Sequence, residues 1–276
     1  MRITVLTIFP ELFPSFLAAS LLGKAIERGL LEVAVRDLRD WAPERHRTVD
    51  DLPYGGGGGM VMTAPPWIAA VRAVAGPATW RVLLSPQGRP LTDEAVRALA
   101  GRPELMLLCG RYEGLDERVR ATVVDEEISL GDFVLSGGEV AAMAVIEAVA
   151  RQLPGVVQLA SSIEEESFRQ GLLDTPHYTR PPVVEGLEAP AVLRSGDHAA
   201  VAAWRRREAL RATLVKRPDQ LARARLTPAD RQALAELAAE EDRPLPVELV
   251  SAAEAEDNRQ LGRREGDGSG GRGKGS

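Results

Sequence analysis

Apolar and amphipathic stretches alternate along the first 150 residues. Residues 3–9 are an apolar run closed by Pro10, which predicts a buried strand. Leu12, Phe16, Leu17, Leu21, Leu22 and Ile26 then fall at helical spacing, which predicts one helix over residues 12–27, stopped at Gly29. Residues 31–35 read as a second strand. A polar stretch, residues 39–59, ends in five consecutive glycines, and a loop of that length is unusual in a compact domain. Pro65 and Pro66 mark the start of a short helix to residue 74. Residues 81–84 are a strand, Thr92 caps a helix to residue 100, and residues 104–109 are another buried strand. Residues 122–128 read as an acidic strand, and helical spacing resumes from Glu139 to Gln152. Strands alternating with helices predict an α/β domain with a mostly parallel sheet.

The pattern changes near Leu153-Pro154-Gly155. Residues 156–173 have no clear period and read as an interdomain linker. Asp197 caps a helix from His198 to about Lys216, ended by Pro218. Thr227-Pro228 starts another, to about Glu240. Residues 262–276 are glycine-rich and charged, with almost nothing to bury, which predicts disorder.

Between the acidic strand and the helix at Glu139 lies Ser129-Leu130-Gly131-Asp132-Phe133-Val134-Leu135-Ser136-Gly137-Gly138. Glycine lets backbone approach a ligand closely, and a tight strand-to-helix loop offers N–H and C=O groups to its polar edges. A plain glycine turn starting a helix is the competing reading. Two more strand ends carry such loops: Ser85-Pro86-Gln87-Gly88 and Gly110-Arg111-Tyr112-Glu113-Gly114. Ligands of open α/β sheets bind outside the carboxyl ends of the strands, so the three loops are candidates for one pocket.

Composition narrows the chemistry. The net charge is −6, so a nucleic-acid partner would have to be held by local patches. The single cysteine, Cys109, excludes an internal disulfide and a cysteine cluster, and suits a reducing compartment. It sits in an apolar strand and reads as core. No apolar run reaches about 18 residues, the length a membrane span needs. A cytoplasmic protein is expected. His46, His177 and His198 lack metal-ligand spacing, so no metal is expected. The glycines at 266, 268 and 271 match a dinucleotide fingerprint but lie in the tail, with no strand before them and no helix after. A phosphate-binding P-loop is lacking. Arg45-His46-Arg47 and Arg205-Arg206-Arg207 are basic clusters, each readable as solvated surface or as a phosphate contact. Glu164-Glu165-Glu166 reads first as soluble linker surface, and Arg151 as a favourable charge at a helix C-terminus.

Six motifs taken together resemble the bacterial tRNA (guanine-N1)-methyltransferase family of the SPOUT class. They are Arg45-His46-Arg47-Thr48-Val49-Asp50-Asp51, Pro53-Tyr54-Gly55-Gly56-Gly57 with Gly59-Met60, Ser85 to Gly88, Cys109 to Gly114, Gly131 to Glu139, and Gly171-Leu172-Leu173-Asp174 with Pro176-His177-Tyr178-Thr179-Arg180-Pro181. The likeness covers roughly residues 1–237. It implies an α/β SPOUT-type domain with a deep C-terminal trefoil knot, and a small all-α C-terminal domain. The implied layout is a knotted domain over residues 1–160, a mobile linker over 161–176, a helical tRNA-binding domain over 177–246 and a largely disordered tail over 247–276. Topology rules alone would reject a knot.

The resemblance also implies S-adenosylmethionine as methyl donor, bound at Leu84, Ser85, Pro86, Gly110, Tyr112, Leu130, Gly131, Asp132, Phe133, Val134, Leu135, Ser136, Gly137 and Gly138. The implied partners are a second copy of the chain, with shared active sites, and tRNA whose guanine lies just 3′ of the anticodon. Methylating that guanine maintains the reading frame. N1 of guanine carries a proton at neutral pH, so a positioned base must take it, and the charge that builds on O6 needs a cation. The family assigns these roles to an aspartate before Ser-Phe in the linker and to an arginine ending the knot helix. The matching positions are Glu166 and Arg151. Glutamate in place of aspartate keeps a carboxylate and lengthens its reach by roughly an ångström, and small misplacements at a reacting centre are costly. Glu165 is the second candidate. Glu113 would contact the target guanine, His46 and Arg47 would close over the RNA, and Arg205, Arg206 and Arg207 would hold phosphates. Alternatives are a SPOUT enzyme acting on ribosomal RNA or a 2′-hydroxyl, and a non-catalytic protein that binds S-adenosylmethionine and RNA.

Overall fold

The computed structural model describes residues 1–43, 45–157, 167–168 and 171–246. The chain divides into two compact units, Met1–Ala160 and Ser161–Ser276.

The first unit contains seven strands among its described residues: β1 (Arg2–Thr7), β2 (Glu32–Asp37), β3 (Asp50–Asp51), β4 (Val61–Met62), β5 (Thr79–Pro90), β6 (Glu104–Cys109) and β7 (Glu126–Ser129). Five of them form one sheet in the order β2-β1-β6-β5-β7, and every pair in it is parallel. The short β3 and β4 pair antiparallel to each other. The helices are α1 (Pro14–Leu17), α2 (Ser20–Glu27), α3 (Ala64–Val74), α4 (Asp93–Ala100), α5 (Glu117–Val123) and α6 (Glu139–Gln152).

Both faces of the sheet are covered, which is why its central strands β1 and β6 read as largely apolar runs. Alternate residues of β6 point to opposite faces. Leu105 and Leu107 pack with Leu22 of α2, Leu99 of α4 and Val145 and Val149 of α6. Met106 and Leu108 pack with Trp67 and Val71 of α3 and Val119 and Val123 of α5. Each such side chain contributes about 1.5–3 kcal/mol on burial.

Three elements differ from the sequence reading. Residues 12–27 are not one helix: a 3-10 turn (Pro10–Leu12), α1 and α2 follow one another, and Ser20 sits at φ +53°. A Cβ on Gly23 would come 2.4 Å from the carbonyl oxygen of Ala18, so the sharp break depends on that glycine. Residues 122 and 123 close α5 rather than open a strand. The β-branched run suggested a strand, but the Asp116 carboxylate accepts the Arg118 N–H at the helix start, and Val119 and Val123 bury one helical face. The long polar stretch is structured in part, through a 3-10 turn (Leu38–Trp41) and β3.

In the second unit the described elements are the hairpin of β8 (Val183–Val184) and β9 (Leu187–Glu188), a 3-10 turn (Ala191–Arg194), and then α7 (His198–Lys216), α8 (Pro218–Leu221) and α9 (Pro228–Glu240). The hairpin is an addition to the all-helical expectation. Its strands are two residues each, too short for a period-2 pattern to register, and Glu185 and Gly186 make its turn at positive φ. Leu172, Leu210, Leu214, Leu221, Leu234 and Leu237 form the core of this unit. Asp197 caps α7 by accepting the N–H groups of Ala199 and Ala200, each at 3.0 Å. Thr227 and Asp230 form a reciprocal capping box on α9. Among the described residues no helix is long and apolar enough to cross a membrane. The tail at 262–276 lies outside the described residues.

Candidate active site

The carboxyl ends of β6, β5 and β7 lie side by side, because these strands are parallel neighbours in the sheet. The loop at each end is shaped by a local device. Pairing of β5 with β7 breaks after Leu84 and resumes at Arg89, so residues 85–88 bulge out of the ladder. The hydroxyl oxygen of Ser85 accepts the Gln87 N–H at 3.2 Å and tightens the bulge.

The loop after β6 is tied to β4. Glu113 N–H donates to the Met60 carbonyl at 3.0 Å, and Met62 N–H donates to the Gly114 carbonyl at 2.9 Å. Tyr112 is held at φ +60°, an uncommon conformation for an aromatic residue. The glycine run ends against this loop: a Cβ on Gly59 would lie 2.4 Å from the Glu113 carboxylate.

The loop after β7 meets the loop after β6. Gly138 N–H donates to the Gly110 carbonyl at 2.9 Å, and Arg111 bridges to Gly137. A Cβ on Gly138 would come 2.8 Å from the Cα of Cys109, so the first turn of α6 packs directly on backbone.

These loops enclose one cleft of about 210 Å³. Of the positions expected to hold the methyl donor, Leu84, Ser85, Pro86, Gly110, Tyr112, Leu130, Phe133, Val134, Leu135, Ser136, Gly137 and Gly138 line it. Gly131 and Asp132 belong to the same loop but do not line the cleft. Glu113 does. Four charged or polar lining residues were absent from the expected set: Gln87, Arg111, Arg120 and Ser129. Gln87 and Arg111 stand within motifs already singled out, but nothing in the helical pattern of residues 117–123 points Arg120 at a ligand.

Electrostatics at the cleft centre on Glu139, which is 1% exposed. Its carboxylate accepts the Thr7 hydroxyl at 2.7 Å on one oxygen and the Arg111 Nε–H at 2.9 Å on the other. The Arg111 guanidinium also stacks 4.4 Å from the Phe9 ring centroid and donates to the Ser136 carbonyl at 3.4 Å. Burial, and then the negative charge of Glu139, push the Cys109 thiol well above its ordinary range, so it is no nucleophile. Arg120 reaches from α5 to the Ser85 hydroxyl at 3.5 Å and pairs with Glu117 at 2.9 Å. Its Nε stands 3.1 Å from Glu127 Oε2 as a charge contact, without the alignment of a hydrogen bond.

The remaining candidates fall elsewhere. Arg151 is half-buried in the last turn of α6. Glu165 and Glu166 lie outside the described residues. His46 is exposed in a turn. Arg47, at φ +54°, donates to the Arg39 carbonyl at 3.2 Å and pairs with Asp40. Arg205 is exposed. Arg206 makes a two-pronged pair with Asp230, and Arg207 pairs with Glu236 and Glu240. The last two arginines are therefore already engaged within their own unit. Among the described residues no cluster of His, Cys, Asp or Glu could hold a metal ion.

The cleft combines apolar side chains with bare backbone N–H and C=O groups and a flanking carboxylate. That set suits a small ligand with a flat apolar part and polar edges.

Comparison with known proteins agrees with the motifs. The family described as tRNA (Guanine-1)-methyltransferase TrmD matches residues 1–223. A tRNA (guanine-N(1)-)-methyltransferase of Chloroflexus aurantiacus is 54% identical over 245 residues, covering 86% of this chain and 96% of its own. One from Frankia alni is 54% identical over 244 residues, 87% and 92% of the two chains. One from Dehalococcoides mccartyi is 48% identical over 246 residues, 88% and 99%. With that span of matched residues and relatives about half identical along most of their length, the chain belongs to the tRNA (guanine-1)-methyltransferase family.

Proposed function

We propose that this protein transfers a methyl group from S-adenosylmethionine to N1 of the guanine immediately 3′ of the anticodon in tRNA, and so maintains the reading frame. The observation that carries this reading is the convergence of the three strand-end loops on one cleft in a chain of this family. The cleft fits the methyl donor. Gly137 and Gly138 leave backbone where a Cβ would strike Arg111 and Cys109, and Leu84, Leu130 and Phe133 supply apolar contact for a purine. The same loop set, including Gly131 and Asp132, grips the donor within a trefoil-knotted chain.

S-adenosylmethionine supplies a methyl group on a sulfonium whose leaving thioether is neutral and needs no acid. The chemistry left to the protein lies on the guanine. Glu166 takes the N1 proton as the N–C bond forms. Loss of that proton runs ahead of the methyl's arrival, so negative charge builds on O6 and is met by Arg151. Glu113, at the edge of the cleft, contacts the target guanine. The segment with His46 and Arg47 closes over the RNA. Residues 161–176 are the linker that carries the base, residues 177–246 the tRNA-binding domain and residues 247–276 the tail. The exposed Arg205 is the foremost phosphate contact of its cluster, with Arg206 and Arg207 beside it. The working protein is a cytoplasmic homodimer with shared active sites.

The test is transfer of labelled methyl to paired tRNA transcripts, one with guanine after the anticodon and one with it replaced. Label on N1 of the first transcript alone is expected. Equal labelling of both, or label on a ribose, overturns the reading.

A further inference from the structure

Glu139 is the one carboxylate of the first unit whose side chain is buried to 1% among the described residues, and the reaction above gives it no role. Isolated burial of a charge is costly, so its partners matter. They come from two separate places, Thr7 at the end of β1 and Arg111 after β6, while Glu139 itself sits at the start of α6. Arg111 then spans the gap between the two walls of the cleft. Its own N–H donates to the Met62 sulfur at 3.2 Å, its Nε to Glu139, and its Nη1 to the Ser136 carbonyl. The glycine between the walls leaves room for this pair: a Cβ on Gly137 would come 2.2 Å from Arg111 Nε and 2.6 Å from Glu139 Oε2, so a larger residue there would displace it.

We propose that Glu139 is a positioning residue for the methyl donor: through Arg111 it locks the 110–114 loop against the 131–138 loop. The two glycine-bearing walls are otherwise joined by the Gly138 to Gly110 hydrogen bond and the Arg111 to Gly137 bridge. An amide at residue 139 keeps the shape and can still face Thr7, but it removes the charge that orients the guanidinium. A charge-assisted hydrogen bond to a carboxylate holds a guanidinium more firmly than a neutral amide does. The role is one of binding the donor and leaves the proton transfer on guanine alone. It rests on the reading that this cleft takes S-adenosylmethionine.

The experiment uses the full chain and S-adenosylmethionine itself, titrated calorimetrically into the wild type, Glu139→Gln, Glu139→Asp and Arg111→Lys. Steady-state methylation of tRNA is followed in parallel. Glu139→Gln is expected to weaken donor affinity at least tenfold and raise the donor KM alike. Its kcat at saturating donor and its tRNA affinity should stay within about threefold of wild type. Glu139→Asp, which keeps the charge, should recover most of the donor affinity. Donor affinity unchanged in Glu139→Gln, or kcat and tRNA affinity falling together with it, overturns the proposal, because a merely structural role would move all three. If Glu139→Gln does not accumulate as folded protein, Arg111→Lys reads the same linkage and is held to the same tenfold loss. A wild-type protein that binds no donor would overturn the functional reading instead, which separates the two failures.

Discussion

Arg206 on α7 donates two hydrogen bonds of 2.9 Å, from Nε and Nη2, to the two carboxylate oxygens of Asp230 on α9. This fork, closed further by the Thr227 N–H and hydroxyl, each 2.8 Å from Asp230, ties the helix pair of the second unit. It also spends one arginine of the basic cluster on internal structure.

The pair makes stability depend on acid. The hydrogen bond from Arg206 lowers the Asp230 pKa from the ordinary 3.8 to about 2. A depressed carboxylate stabilises the fold above its unfolded pKa, and that stabilisation is lost as pH falls through the folded value. The shift corresponds to at most about 2 kcal/mol, since Arg206 is partly open to solvent. Asp230→Asn should lower the melting temperature at pH 7. The gap from wild type should narrow between about pH 4 and pH 2. Melting curves by circular dichroism at both ends of that window check this, and a constant gap would contradict it.

The same geometry separates the basic residues by role. Arg205→Ala should weaken tRNA binding and reduce the slope of log affinity against log salt by about one, with little change in melting temperature. Arg206→Ala should lower the melting temperature, because it leaves Asp230 buried without its cation. Filter binding over a salt series, beside melting curves, reads both effects.

Replacing Glu166 with Gln should slow single-turnover methylation at neutral pH by about 10²–10⁴, with donor affinity kept. Full methylation by Glu166→Gln would rule out this base. Arg151→Ala should lower turnover by about 10²–10³. Weakened donor binding at unchanged turnover would assign Arg151 a different task.

Gly138→Ala probes the packing of the cleft. Its Cβ would come 2.8 Å from the Cα of Cys109, backbone that cannot swing aside. A destabilisation of about 1–3 kcal/mol is expected, with weaker donor binding, as the start of α6 moves off the Gly110 loop. Denaturant unfolding and calorimetric titration would show both. The expectation fails if Gly138→Ala behaves as wild type.

Much of the architecture was legible from local pattern. The apolar runs of β1 and β6 and the caps at Thr92, Asp197 and Thr227 carry short-range information, and each marks its element. The errors arose where local preference and packing disagree. Thr122-Val123 has strand chemistry, yet Val123 completes the buried face of α5. The break in residues 12–27 depends on contact between Gly23 and Ala18, which periodicity does not report. For the site, the glycine-bearing loops marked most of the cleft. Arg120 could not be found this way, because its place follows from the approach of α5 to the β5 bulge.

By itself the sequence determined the alternation of strands and helices, the three special strand ends and the motifs that carry the family likeness. It did so because burial period, capping and backbone freedom at glycine are properties of neighbouring residues. Only the tertiary structure decided that Thr7, Arg111 and Glu139, separated by up to 132 positions, share one buried contact. It also decided that Arg206 and Arg207 are bound to carboxylates while Arg205 faces solvent. Which charges meet across a fold is set by strand order and helix packing, and no local pattern encodes those distances.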